Sequence, residues 1–194
     1  DMSVEPDLAE SWSANDALTE WTFKLRTGVT FHDGKPFTAK DVKATLEYGS
    51  GLDRPKQVYP GATDTFEVTT PDDFTVVIDT SKGGYGASLF IFLASYLPIL
   101  SADDVAGGPS GPLSQRLNGT GPFKFVEQRG NDTVMEAFPG YFKGAPTVPG
   151  VNFSFVGDGT TRMLSLMSGQ ADIIERLEPE QAETLQTLRR TLLN

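Results

Sequence analysis

Trp21, Phe23 and Leu25 alternate with Thr22, Lys24 and Arg26 in the stretch EWTFKLRTGVTF, a period of two that puts the apolar side chains on one face of a half-buried strand. Two more alternating runs lie in TFEVTTPDDFTVVIDT. There Phe66 and Val68 match Phe74, Val76 and Ile78 around a Pro71-Asp72-Asp73 turn, which predicts an antiparallel pair. A strand with one apolar face must bury that face, so these runs predict a small antiparallel sheet covered by helices. A hairpin through Thr27-Gly28 follows from the same pattern.

Between the runs stands FHDGKPFTAKDV, Phe31 to Val42, with the only histidine of the chain. Asp33-Gly34 is a strong turn pair, because Asp bonds its own backbone and Gly accepts positive φ. Pro36 stiffens the exit. Thr38 and Asp41 have capping-box spacing, the hydroxyl accepting from a free helical N–H and the carboxylate reaching back to the cap. The helix then presents Ala39, Val42 and Leu46 on one face.

The pattern changes after SADDVAGGPSGPLSQRLNGTGPF, whose Gly, Pro, Ser and Asn content marks a surface connection and a domain boundary near Gly107 to Gly119. PFKFVEQ, TVMEAF and GVNFSFVG read as three strands, with an aromatic stop at FPGYFKGAP. GTTRMLSLMSGQADII reads as a helix with Met163, Leu166 and Met167 on one face, ending at Gly169 and passing into a strand through Ile173 and Ile174. A last helix starts at Pro179, with Glu178, Glu180 and Glu183 early and Arg189 and Arg190 late, the order that suits the helix dipole. The fold class is mixed α/β in two parts, residues 1–110 and 111–194.

With 38% apolar residues among 194, a substantial core is within reach. The 26 acidic against 16 basic residues give a net charge of -10, which offers no electrostatic footprint for nucleic acid or anionic lipid. The absence of cysteine excludes disulfides, zinc-thiolate sites and thiol nucleophiles. The apolar run Leu89 to Leu100 is interrupted by Ala94, Ser95 and Pro98 and is shorter than the ~20 residues a bilayer requires, so a buried helix is expected there and no membrane insertion. No signal peptide opens the chain, which starts at Asp1 and reads as an excerpt.

Catalytic constellations are poorly supplied. A carboxylate-pair hydrolase of glycans or peptides requires two acids at a defined separation, but Asp72-Asp73 falls in a turn and Asp103-Asp104 near a helix start. A Ser-His-Asp arrangement must use His32, and no Gly-x-Ser-x-Gly elbow accompanies it. As a metal ligand, His32 with Asp33 lacks further ligands nearby. NGTGPF and GDGTT match neither the P-loop nor the dinucleotide fingerprint. By elimination the residues favour a binding module without catalytic residues or cofactor, with the hydrolase as the alternative.

Several segments together resemble the bacterial extracellular solute-binding proteins of family 5, the peptide and nickel importer type: PDLAESW, WTFKLRTGVTFHDGKPFTAKDV, FEVTTPDDFTVVIDT, GTGPFKFVE, YFKGAP and TTRMLSLMSGQADI. PGYFKGAP departs from the family pattern, which commonly has an Asn and an acidic residue before Tyr and a Trp after it. The resemblance implies a periplasmic-binding-protein-like fold, residues 1–110 forming an accessory domain and 111–194 part of the first ligand-binding lobe. It implies a periplasmic or extracellular receptor, lipid-anchored in some members, that closes two lobes around a small solute and delivers it to the membrane subunits of an ABC permease. Di- or oligopeptides head the solute classes. It further implies a partial chain, with FHDGKPFTAKDV remote from the solute. The positions expected to face the cleft are Tyr96, Leu97 and Pro98, at the end of the apolar helix, and Asn118, Gly119 and Thr120, at the NGTGPF turn.

Overall fold

The computed structural model describes residues 4–50, 67–82, 98–106, 112 and 117–192. Tyr96 and Leu97 lie outside them, as do Phe66 and most of the expected apolar helix. The elements run β1 (Ala9–Ala14), β2 (Glu20–Leu25), α1 (Ala39–Ser50), β3 (Glu67–Asp72), β4 (Thr75–Asp79), α2 (Ala102–Val105), β5 (Phe123–Arg129), β6 (Asp132–Ala137), β7 (Gly150–Ser154), α3 (Gly159–Met167) and α4 (Pro179–Leu192). The fold is mixed α/β with antiparallel strands, as the alternating runs require. By compactness the chain divides into one unit of Asp1–Phe125 with Met135–Val151 and a second of Val126–Val134 with Asn152–Asn194.

The first unit holds a four-stranded antiparallel sheet in the order β1-β2-β4-β3. Trp21 faces Ile78 and Phe23 faces Val76 across β2 and β4, and Val68 faces Ile78 across β3 and β4. The β3–β4 turn lies one step later than expected, at Asp73 and Phe74, because the Asp72 carboxylate closes it. Its oxygens accept from Phe74 N–H and Thr75 Oγ1, both at 2.8 Å. Pro71, which has no N–H to give a ladder, falls where the register shifts between Thr69 and Asp72.

The expected hairpin through Thr27-Gly28 does not form. Both edges of β2 are already taken, by β1 and β4, so the chain leaving it has no edge to pair with. It turns at Gly28 and closes on itself instead. Phe31 N–H donates to Lys35 O at 2.8 Å and Phe37 N–H to Val29 O at 2.9 Å, around Gly34 at φ 86°, a left-handed conformation that glycine adopts without a Cβ penalty. β1 carries little apolar alternation and is held by its pairing with β2.

That closed loop drives Val29, Phe31 and Phe37 into the core beside Leu25, Ala39, Leu46, Val68, Val76 and Ile78. Phe31 and Phe37 meet edge to face, ring centroids 6.2 Å apart. Full burial of a side chain of this size contributes about 1.5–3 kcal/mol, so the loop between sheet and helix is a principal part of the core and no mere connection.

Asp41 fixes the start of α1. Its Oδ2 accepts from Thr38 N–H at 2.8 Å as the capping-box spacing predicts, but the Thr38 hydroxyl donates to the same oxygen at 3.2 Å and does not accept from a helical N–H. The carboxylate is buried and collects donors, for its Oδ1 takes the Ala102 N–H at 2.8 Å. One turn on, the buried Thr45 Oγ1 accepts from Leu100 N–H at 2.9 Å and lies 2.8 Å from Asp41 O and 3.1 Å from Leu100 O. Two side chains of α1 thus hold the segment that leads into α2.

Strands β5, β6 and β7 form a three-stranded sheet in that order, matching the three runs in the sequence. In the second unit, α3 begins at Asp158, whose carboxylate accepts from Thr161 N–H and Thr161 Oγ1, each at 2.7 Å. Ile173 and Ile174 do not form the expected strand; the described residues 173–178 have no regular structure. Arg176 at φ 57° cannot continue a strand, and the Glu175 and Arg176 carbonyls accept from a side chain, Arg162. None of the second unit's residues in 126–134 and 152–186 is fully buried.

Asp41→Ala removes a buried carboxylate and strips partners from the half-buried Thr38 and Ala102 donors, and is expected to lower the unfolding free energy by about 2–3 kcal/mol in a denaturant titration. The Thr161 hydroxyl and N–H hold the Asp158 carboxyl below the usual carboxylate range, and the Phe74 N–H and Thr75 hydroxyl do the same for Asp72. A depressed folded pKa contributes stability that is complete above the ordinary carboxylate pKa of about 4 and is lost as pH falls through the lower folded value. The melting temperature should therefore decline below about pH 4, and Asp72→Asn with Asp158→Asn should flatten that decline.

Candidate functional site

Two segments far apart in sequence meet at the NGTGPF turn. His32 N–H donates to Gly119 O at 2.8 Å, and Gly119 N–H donates back to His32 Nδ1 at 3.3 Å. An acceptor at Nδ1 leaves the ring proton on Nε2, which donates to Gly121 O at 3.0 Å. The imidazole edge rests on the Phe138 ring, centroids 5.1 Å apart, and Phe138 N–H donates to Pro122 O at 2.8 Å. His32 therefore stitches the 31–37 loop to the 119–122 turn through its backbone and both ring nitrogens.

Asn118 extends the junction. Its Oδ1 accepts from Asp33 N–H at 3.3 Å and its Nδ2 donates to Asp104 Oδ2 at 2.9 Å. Asp104 is 1% exposed, so this bond is made away from water, and α2 presents Asp103 to Lys35 as an ion pair on the outer side. The structure thus brings Asn118 and Gly119 together with His32 and Asp104, an association that no local pattern announced. Thr120 is half-buried beside them. Pro98 is exposed and opens the segment that Thr45 and Asp41 hold at Leu100 and Ala102.

With both ring nitrogens committed to backbone groups, His32 acts as a clamp in this conformation and has no nitrogen to offer as a general base. The adjacent acids are likewise divided among partners: Asp72 closes a turn, Asp103 pairs with Lys35 and Asp104 holds Asn118. Among the described residues, no three His, Cys, Asp or Glu side chains gather as a metal-ligand set.

A second junction joins PDLAESW, KLR and YFKGAP. Arg26 N–H donates to Leu8 O at 2.8 Å, Arg26 Nε to Asp7 O at 3.1 Å, and the guanidinium lies 3.4 Å from the Glu10 carboxylate. The same guanidinium stands 5.4 Å from the Phe142 ring centroid and Lys143 Nζ stands 5.6 Å from it, a cation–π arrangement. Lys143 also bonds Asp7 Oδ1 at 2.7 Å, and this hydrogen bond raises the lysine's pKa above its ordinary value. In the second unit, Arg162 of TTRMLSLMSGQADI donates to four backbone carbonyls, Val156, Gly157, Glu175 and Arg176, at 2.8–3.2 Å. The short motifs of the sequence are the places where remote strands, loops and helices are fastened together.

Residues 3–192 match the family model described as "Bacterial extracellular solute-binding proteins, family 5 Middle". The chain is 32% identical over 191 residues to the probable D,D-dipeptide-binding periplasmic protein DdpA of Escherichia coli, covering 94% of this chain and 36% of that protein. It is 33% identical over 193 residues to heme-binding protein A of Haemophilus influenzae, covering 88% and 35% respectively. Among solved structures, NikA from Brucella suis in complex with Fe(III)-EDTA superposes with a TM-score of 0.75 at 26% identity, covering 96% of this chain and 38% of that one. The chain spans about a third of the length of the curated relatives it matches.

His32→Ala removes two ring hydrogen bonds and a ring contact, and Asn118→Ala removes a donor from the buried Asp104 carboxylate. Each should cost about 1–3 kcal/mol by chemical denaturation. Because both act on one junction, the double variant should differ from the sum of the singles by at least about 0.5 kcal/mol. Strict additivity would mean that the two side chains do not share a junction.

Proposed function

This chain belongs to the bacterial extracellular solute-binding proteins of family 5, and from that premise we propose that it is the middle portion of a periplasmic or extracellular receptor that delivers a small solute to an ABC permease. The observation that carries the reading is the match of the family model to nearly the whole chain, residues 3–192. The relatives' names speak of a D,D-dipeptide, heme and a metal chelate, and the first of these supports a di- or oligopeptide as the solute. Residues 1–110 serve as the accessory domain and 111–194 as part of the first ligand-binding lobe.

Capture works by closure. A solute that contacts both lobes only in the closed state shifts the open–closed equilibrium by its difference in affinity for the two states. In that scheme His32, expected from the resemblance to lie remote from the solute, stands instead one hydrogen bond behind it: His32 and Asp104 are positioning residues that hold the NGTGPF turn at the cleft rim, where Asn118, Gly119 and Thr120 face the solute together with Tyr96, Leu97 and Pro98. A turn fastened at His32, Asp33 and Asp104 loses little conformational entropy when a solute docks on it. Capture of this kind is binding without turnover.

Native mass spectrometry of the complete gene product, purified without denaturation, tests the reading. A co-purified mass matching a short peptide, displaced by added peptide with the protein's mass unchanged, is the expected result. A bound species of another class would replace the peptide assignment, and conversion of that solute by the protein would overturn the receptor reading in favour of a hydrolase.

A further inference from the structure

NGTGPF contains the only Asn-Gly pair of the chain, Asn118-Gly119. Asn followed by Gly is the pair most prone to cyclise, because the glycine N–H reaches the side-chain amide carbon with no Cβ in the way. The fold does not ask for that glycine. Gly119 is not among the residues with positive φ, and a Cβ there would meet His32 Cε1 at an ordinary 3.6 Å. A chemically labile pair thus stands where alanine would fit.

Every group the cyclisation requires is already bonded elsewhere. Gly119 N–H, which carries the nucleophilic nitrogen, donates to His32 Nδ1 at 3.3 Å. Asn118 Oδ1 accepts from Asp33 N–H at 3.3 Å, and Nδ2 donates to the buried Asp104 Oδ2 at 2.9 Å. On the far side of the pair, Gly119 O accepts from His32 N–H at 2.8 Å and Gly121 O from His32 Nε2 at 3.0 Å. A bond between Gly119 N and Asn118 Cγ forms only when the N–H proton leaves and the amide turns toward the backbone, which costs the bonds to His32, Asp33 and Asp104. Bonds present in the ground state and lost on the way to the transition state raise the barrier. The reaction then runs through the fraction of molecules in which the junction is open.

We infer that Asn118 is a spontaneous deamidation site, held unreactive in the folded protein by the junction with His32 and Asp104, and that its product cannot rebuild that junction. Gly119 N gives up its proton and bonds to Asn118 Cγ, the Cγ–Nδ2 bond breaks, and the amide nitrogen leaves with that proton as ammonia. One water then opens the succinimide ring at either of its carbonyl carbons, leaving an aspartyl or an isoaspartyl residue at position 118. Neither product has the Nδ2 donor. The aspartyl form turns a carboxylate toward Asp104 Oδ2, acceptor against acceptor and like charge against like. The isoaspartyl form routes the backbone through one more carbon and moves Gly119 relative to His32. A chain whose junction has stayed open long enough to react keeps a permanent chemical record of it, whatever solute the receptor carries.

The test follows conversion at Asn118 by peptide mass spectrometry, with isoaspartyl methyltransferase to measure the isoaspartyl share. It compares the complete gene product folded at neutral pH, its His32→Ala variant under the same conditions, and a free peptide of residues 115–124. The peptide should react at least about tenfold faster than the folded protein, with His32→Ala in between, because the open fraction sets the rate. Equal rates in peptide and folded protein would overturn control by the junction. A folded protein faster than the peptide, or slowed by His32→Ala, would overturn it too and make His32 the base that takes the Gly119 proton. If His32→Ala does not fold, the peptide and the unsubstituted protein still decide. Gly119→Ala, whose Cβ has room, should keep the melting temperature and nearly abolish conversion, and conversion that persists would overturn the succinimide route. Asn118→Asp should melt below Asn118→Ala, since it sets a charge against Asp104 where alanine only removes a donor; an equal or higher melting temperature would overturn the loss of the junction in the product.

Discussion

The buried carboxylate of Asp41 is the constraint on which the first unit turns. It closes the N-terminus of α1 through Thr38 and reaches across to Ala102, so that helix start and helix start are joined by one side chain. From Ala102 the short helix α2 carries Asp104 to Asn118, and Asn118 returns to the backbone of Asp33 in the loop that leads back to α1. The result is a closed circuit of hydrogen bonds through three segments remote in sequence. Burial of the Asp41 and Asp104 carboxylates makes their bonds stronger and a missing partner there more costly, which is why such a circuit fixes one arrangement of the loops.

That circuit also explains how the chain can hold a small, glycine-rich turn in one geometry. Loops on their own are poor at holding a geometry, and NGTGPF contains two glycines within three residues of Asn118. Here the precision comes from elsewhere, from His32 and its backbone and from the Phe138 ring beneath it. The second unit uses the same device with a different residue, one guanidinium bonded to four carbonyls. In both cases a single planar side chain replaces a ladder of backbone pairs. Residues 126–134 and 152–186 of the second unit include none that is fully buried, so polar fastening of this kind contributes to its local order.

Much of the fold was legible because it depends on short-range physics. The alternation of Trp21, Phe23 and Leu25, the strands from Phe123 to Ser154, the Asp33-Gly34 turn, the Asp41 cap and the helix from Pro179 were all readable in local pattern. The misses share a cause. The Thr27-Gly28 hairpin failed because β1 and β4 had already occupied β2, and the strand through Ile173 failed because Arg162 had taken the carbonyls it would have paired. In each case local propensity was sound, and a competitor from far along the chain claimed the same hydrogen-bonding groups.

The candidate site divides in the same way. Residue type and spacing singled out FHDGKPF and NGTGPF, placed glycine where positive φ was required, and left His32 without the companions that catalysis needs. The sequence by itself determined most of the described elements, the family and the absence of cysteine chemistry, since each of these is written in neighbouring residues or in composition. Only the tertiary structure decided that His32 and Gly119 are partners, that Asp104 is buried against Asn118, and that Arg162 imposes a left-handed turn on Arg176. Those pairings join residues between 14 and 87 positions apart, and hydrogen bonds of such reach form only after the chain has closed its loops.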